Sequence, residues 1–219
     1  MKSIIDKVRD KSIIDLSKLL YAKIFDRCFD LKYGIETSAH VHLENLDFND
    51  EQKEQSYWYE GTYVVQLRKL FNHLQIPKEK IFIDIGSGKG RVLLIAAEYG
   101  FKKINGLELS SKLCEIAKKN VSVFMRKKNY NSDIEIINDN ALHYNFTDKE
   151  DIIFLYSPFG EQILEQLIVN LKNSIKQSKR SIKLIYVNPI HGNVIKDNMA
   201  VAKTTSLRLY GTNILIFDV

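Results

Sequence analysis

The segment Phe82-Ile83-Asp84-Ile85-Gly86-Ser87-Gly88-Lys89-Gly90 constrains this chain more than any other stretch of it. A short apolar run leads into it and a helical pattern over residues 91–99 leads out, so Gly86, Gly88 and Gly90 sit where a buried strand turns into a helix. Glycine at such a junction lets the backbone turn tightly and approach a ligand that a Cβ would hold away. The turn by itself implies a nucleotide-type ligand at the carboxyl end of a strand.

The hydrophobic periodicity beyond the turn sets the fold class. Strands are expected at 81–85, 104–109, 134–138, 152–156 and 182–187, with helices at 91–99, 111–126 and 162–175 between them. Residues 206–210 and 214–219 close the chain as two strands joined by the hairpin-type turn Gly211-Thr212-Asn213. Strands alternating with helices require an α/β, doubly wound, mainly parallel seven-stranded sheet, here with an antiparallel C-terminal hairpin strand and ligands at the carboxyl strand ends.

Ahead of the alternation, residues 2–31 show helical periodicity, with Leu16, Leu20, Ile24 and Cys28 four apart and Phe25 and Phe29 alongside. Such a stripe must cover a surface. Residues 33–57 are irregular and polar, as in a connector lying over the domain, and 64–74 read as a helix with Val65, Leu67, Leu70, Phe71 and Leu74 on its apolar side. Residues 1–56 therefore form an N-terminal helical extension, either a lid or a dimer arm, and residues 57–219 the ligand-binding domain.

Charge selects the ligand. A dinucleotide-binding turn spaces its third glycine one residue later, seats a pyrophosphate on the helix amino terminus and has no use for a carboxylate just before the turn. Asp84 at that place would repel phosphate and attract an ammonium group. Glu108 ends the second strand, 22 residues after Gly86, where a carboxylate accepts hydrogen bonds from both hydroxyls of a ribose. Asp139 follows the third strand and either takes an adenine amino group or only begins the turn Asn138-Asp139-Asn140-Ala141.

Over residues 57–219 the chain resembles the class I (Rossmann-like) S-adenosylmethionine-dependent methyltransferases. Residues 86–90 with Asp84 match the first motif of that family, Glu108 the second, Asp139-Asn140-Ala141 the third and Ser157-Pro158-Phe159 the fourth. More narrowly, residues 84–97, the segment Tyr59-Glu60-Gly61-Thr62-Tyr63 and the helix after it resemble a largely uncharacterised bacterial group, itself distantly similar to the non-SET histone lysine methyltransferases. The resemblance implies that Asp84, Gly86, Ser87, Gly88, Gly90, Glu108, Leu109, Asp139, Asn140, Ala141 and Tyr156 hold S-adenosylmethionine, which leaves as S-adenosylhomocysteine. Tyr59 and Thr62 would close over it from the amino-terminal side. Tyr57, Trp58, Tyr59 and Tyr63 serve either that contact or the packing of the extension on the domain. Lys89 is expected in solvent.

Methyl transfer from a sulfonium is an in-line displacement in which the enzyme mainly aligns the acceptor lone pair, and alignment supplies on the order of 7 to 11 kcal/mol. In amine-modifying members of the family the fourth strand ends in Asn or Asp, then Pro-Pro and an aromatic residue. Tyr156-Ser157-Pro158-Phe159-Gly160 keeps the Pro-aromatic turn but replaces the amide by a hydroxyl. Ser157 either accepts a hydrogen bond from an acceptor amine or caps the helix that follows. Phe159 flanks the same rim. His191, in Asn188-Pro189-Ile190-His191-Gly192 after the fifth strand, is either a general base or an ordinary loop histidine.

The expected acceptor is an amine, on a protein lysine or a small molecule. The rivals are a hydroxyl of a small metabolite or sugar, a nucleic acid, and a binding module that has lost catalysis. His40 and His42 lack companion ligands at metal spacing, so no metal is expected. The net charge of +5 is spread over short Lys/Arg clusters that read as solvated helix ends and loops, so nucleic acid is not an expected partner. Two separated cysteines, an acidic start and the lack of any 20-residue apolar run point to a cytoplasmic protein without a membrane span.

Overall fold

A computed structural model describes residues 13–41, 46–48, 61–147, 149–157 and 159–219. They hold helices α1 (Ile13–Tyr33), α2 (Val64–Leu74), α3 (Arg91–Tyr99), α4 (Ser111–Lys128), α5 (Glu161–Ser178) and α6 (Gly192–Asn198). The strands are β1 (Ile81–Ile85), β2 (Lys103–Glu108), β3 (Asp133–Asn138), β4 (Glu150–Tyr156), β5 (Lys183–Val187), β6 (Lys203–Leu209) and β7 (Thr212–Asp218). They form one sheet in the order β3-β2-β1-β4-β5-β7-β6. The first five run parallel, and β7 is antiparallel to both β5 and β6. The strand order reverses between β1 and β4, which opens a crevice at their carboxyl ends.

Side chains of a strand alternate between its faces, so each central strand feeds two cores. Phe82, Ile104, Phe154 and Ile185 pack with Leu67, Phe71, Leu93 and Phe124 of α2, α3 and α4. Ile83, Ile85, Leu155 and Leu184 pack with Leu164, Leu167, Ile168 and Ile195 of α5 and α6. Two acids follow from this parity: Asp84 shares the side of Phe82, and Glu108 that of Ile104. The first core is aromatic at its centre, where Phe71 and Phe82 meet edge to face with centroids 5.7 Å apart, a geometry that adds to simple area burial.

The N-terminal helix turns a different face inward from the one its apolar period marks. Leu20 is 61% and Ile24 54% exposed, and Cys28 is exposed, while Ala22, Asp26, Phe29, Asp30 and Tyr33 are buried. Two aspartates explain the rotation. Asp30 accepts hydrogen bonds from the Thr37 amide and hydroxyl and the Ser38 amide at 2.6–2.7 Å, and Asp26 accepts from the Val64 amide at 2.9 Å. Phe29 and Tyr33 then stack on Phe124 of α4, with centroids 5.7 and 4.8 Å away.

Three further details depart from expectation. Lys89 is not in solvent: its side chain is 1% exposed and its Nζ lies 2.5 Å from Glu36 Oε1. Asn120 of α4 donates to the carbonyls of both Lys89 and Glu36, tying the connector to the glycine turn. The hairpin turn lies one residue earlier than its composition suggests, since Leu209 pairs with Thr212. Tyr210 and Gly211, with φ of 51° and 75°, supply the two left-handed residues of a type I′ turn. Helix α6 was not expected, because its seven residues begin with Gly-Asn and are too few to show a period.

Gly106 on β2 has no room for a side chain: a Cβ there would lie 2.6 Å from Leu93 Cδ1 and 2.9 Å from Ser87 Oγ. Gly106→Ala is expected to destabilise the fold by about 1–3 kcal/mol. Denaturant unfolding checks this, and an unchanged midpoint would contradict the close approach.

Candidate functional site

The glycine turn is built as a stack of protein contacts. Gly86, Gly88 and Gly90 have φ of 79°, 54° and 83°, a left-handed region costly to residues with a Cβ. The amides of Gly86 and Ser87 donate to the Leu107 carbonyl at 2.8 and 3.0 Å, and the Gly90 amide donates to the Ser87 carbonyl at 2.9 Å. The Gly88 amide donates to Glu108 Oε2 at 2.8 Å. A phosphate cradle needs such amides turned outward to an anion. Here all four are spent inside the protein.

Glu108 does more than present a charge at the end of β2. Its Oε1 accepts from the Ser110 amide at 2.9 Å while Oε2 holds Gly88, so one carboxylate joins the glycine turn to the start of α4. Burial raises its pKa, against the pull of those amides. Asp84 is 2% exposed, and among the described residues its carboxylate accepts no hydrogen bond. Burial, and then the charge of Glu108, hold it well above the usual carboxylate range.

Both acids line a cavity in the crevice between β1 and β4. Of the other expected site residues, Thr62, Gly86, Ser87, Leu109, Asp139, Asn140, Ala141, Tyr156, Ser157 and Phe159 line it as well. Gly88 and Gly90 shape the turn behind it, and Tyr59 lies outside the described residues, as do Tyr57, Trp58, His42 and Pro158. Asp139 is exposed and bonds the amide of Asn140 at 2.7 Å, so it begins a turn and also faces the cavity. Ser157 does not cap the next helix, whose N-cap is Gly160. At φ 35° it donates its hydroxyl to the Asn188 carbonyl, joining the ends of β4 and β5. His191 is not among the lining residues: it is the N-cap of α6, with Nδ1 3.9 Å from Glu161 of α5 and a buried Nε2 that has no hydrogen-bond partner among the described residues.

Leu46, Phe48, Gly61, Arg91, Val92, Leu107, Leu113 and Ile163 complete the lining and were not expected there. For Arg91 a signal existed, a lone cation opening the otherwise apolar run Val92-Leu93-Leu94-Ile95. Leu46 and Phe48 flank Asp47, which accepts from the Ser110 hydroxyl and the Ser111 amide and hydroxyl at 2.5–2.9 Å. Slight burial works against it, yet those bonds lower the Asp47 pKa. Buried polar atoms without a hydrogen-bond partner among the described residues include Thr62 Oγ1, Ser87 Oγ and Arg91 Nη2, all on residues that line this cavity. Buried polar groups are nearly always satisfied, so three such atoms on residues around one cavity distinguish it from the rest of the described interior.

Residues 37–206 match the family described as histone methylation protein DOT1. The chain belongs to that family of S-adenosylmethionine-dependent methyltransferases. An uncharacterised protein of Methanocaldococcus jannaschii is 29% identical over 112 residues, covering 50% of this chain and 41% of that one. The chain thus spans about two fifths of the length of that relative. Among solved structures, a SAM-dependent methyltransferase from Aquifex aeolicus superposes with a TM-score of 0.56 at 12% identity, over 69% of this chain and 88% of the other. The tRNA (uracil-54, C5)-methyltransferase of Pyrococcus abyssi, in complex with S-adenosyl-L-homocysteine, gives 0.54 at 15% identity, over 83% and 44%. The fold of this DOT1-family domain is therefore the class I methyltransferase fold. No helix among its described residues is long and apolar enough to cross a membrane.

The unpaired acid in this DOT1-family chain has a measurable price. With its folded pKa raised, Asp84 adds nothing unfavourable below the ordinary carboxylate value, and destabilises progressively as pH rises from there toward the folded value, by about 1.4 kcal/mol per pH unit. Asp84→Asn is expected to raise the melting temperature of the ligand-free protein at pH 8, with the gain vanishing near pH 4. A pH series of thermal melts checks this, and a stability loss at every pH would show Asp84 to be paired.

Proposed function

We propose that the protein transfers the methyl group of S-adenosylmethionine to an amine, on a protein lysine or a small molecule. Support for the donor site comes from one observation: a buried acid and three buried polar atoms, all without a hydrogen-bond partner among the described residues, belong to residues around a single cavity at the β1/β4 crevice. In this reading Asp84 meets the ammonium of the methionine moiety, Glu108 the ribose hydroxyls, and Asp139, Asn140 and Ala141 the adenine. Thr62, with Leu46 and Phe48, closes the cavity from the connector side. The bound donor supplies an electrophilic methyl group on a sulfonium, and the protein supplies alignment and exclusion of water.

Ser157 argues for the kind of acceptor. Its hydroxyl proton is committed to Asn188, so at the cavity its oxygen is left as an acceptor and favours a group that carries N–H or O–H. Between these the family match supports nitrogen, since the family is described by histone methylation. A nucleic-acid acceptor has no argument against it from the comparisons, because one similar fold belongs to a tRNA methyltransferase. Base catalysis is not assigned to His191, which lies off the cavity lining.

Incubation with radiolabelled S-adenosylmethionine and cell lysate, followed by separate protease and nuclease arms, tests the acceptor. Label should be released by protease or remain in the small-molecule amine fraction; label released by nuclease would overturn the amine assignment. On the acceptor so found, Ser157→Ala is expected to lower kcat/KM by about tenfold, the worth of one positioned hydrogen bond.

A further inference from the structure

The methionine end of the donor carries two charges, and the cavity wall matches them unequally. Asp84 offers an acid for the ammonium, but the carboxylate needs a donor, and the amides of Gly86, Ser87, Gly88 and Gly90 are already committed. Among the described residues that line the cavity, Arg91 alone carries a cationic side chain.

Arg91 is 3% exposed and is held on two of its three nitrogens. Nε donates to Thr37 Oγ1 at 2.9 Å, and Nη1 donates to Asp26 Oδ2 at 2.5 Å and to the Thr62 carbonyl at 3.2 Å. Nη2 is buried and has no hydrogen-bond partner among the described residues. Asp26 is itself fixed, because its other oxygen accepts from the Val64 amide at the start of α2. The guanidinium is thus clamped by α1, the connector and the residues before α2, with one arm left over. It also walls a second cavity, between α1 and residues 61–63, so it stands at the seam of the extension and the sheet domain. Asp26 precedes residue 37, where the family match begins.

We propose that Arg91 binds the carboxylate of the methionine moiety through Nη2, and that Asp26 on α1 is the positioning residue that aims it. This rests on the cavity being the S-adenosylmethionine site. A planar guanidinium suits a carboxylate, and an ion pair behind it fixes the plane that a free arginine would have to order on binding. The N-terminal helix is then a structural part of the donor site.

Titration calorimetry with S-adenosylmethionine and with decarboxylated S-adenosylmethionine separates the possibilities, using full-length wild type, Arg91→Gln, Arg91→Lys and Asp26→Asn, each checked for folding by circular dichroism. Wild type should prefer the carboxylated ligand by about tenfold or more, as for a hydrogen bond to a charged group. Arg91→Gln should erase that ratio, and Asp26→Asn should reduce it while leaving the affinity for the decarboxylated compound nearly unchanged. Arg91→Lys, which keeps the charge without the fork, should retain part of the ratio. Equal wild-type affinity for the two ligands would overturn the proposal while leaving the donor site standing. An equal loss for both ligands in Arg91→Gln would make Arg91 merely structural and overturn it too. Failure of wild type to bind either compound would remove the donor site itself, and this inference with it.

Discussion

One carboxylate holds the site together. Glu108 accepts the Gly88 amide on one oxygen and the Ser110 amide on the other, so the tip of β2, the glycine turn after β1 and the amino end of α4 become one rigid unit. A buried charge is tolerated where several dipoles converge on it, and two backbone N–H groups do so here. Remove that acceptor and two buried amides lose their partner, in a turn whose other amides are already satisfied by Leu107 and Ser87.

Around this unit the chain wraps its own amino-terminal segment. Asp47 grips the first residues of α4, Glu36 pairs with Lys89 inside the glycine turn, Asn120 bridges the two, and Asp26 meets Arg91 at the start of α3. These bonds join positions 31 to 84 residues apart in sequence, which ties the described residues of the connector to the sheet domain where composition shows only a polar, irregular run. Polar contacts thus set the orientation of α1, leaving Leu20 and Ile24 outside. A hydrophobic period reports which face would gain most from burial, and it is blind to two aspartates with waiting partners.

The sheet domain was largely legible for the converse reason. Strands such as 81–85 and 182–187 are buried on both faces, and such runs stand out against the polar turns around them. Within the site, Asp84, Glu108, Asp139 and Ser157 were legible because strand ends are where an α/β fold gathers its ligand contacts. Arg91 was not, since a cation one residue past a glycine turn reads equally as a solvated helix start. Lys89 was misjudged on the same ground, because its partner Glu36 lies in a segment without periodicity.

What the amino-acid sequence determined by itself is the alternation of strands and helices, the place of the turn and the acids at the strand tips, all of them local patterns of period, glycine and charge. Only the tertiary structure decided that the amides of Gly86, Ser87, Gly88 and Gly90 are spent inside the protein, which face of α1 is buried, and that His191 lies off the cavity while Arg91 lies on it. Those outcomes depend on partners far apart in the chain, and a hydrogen bond between distant residues leaves no periodic trace in either of them.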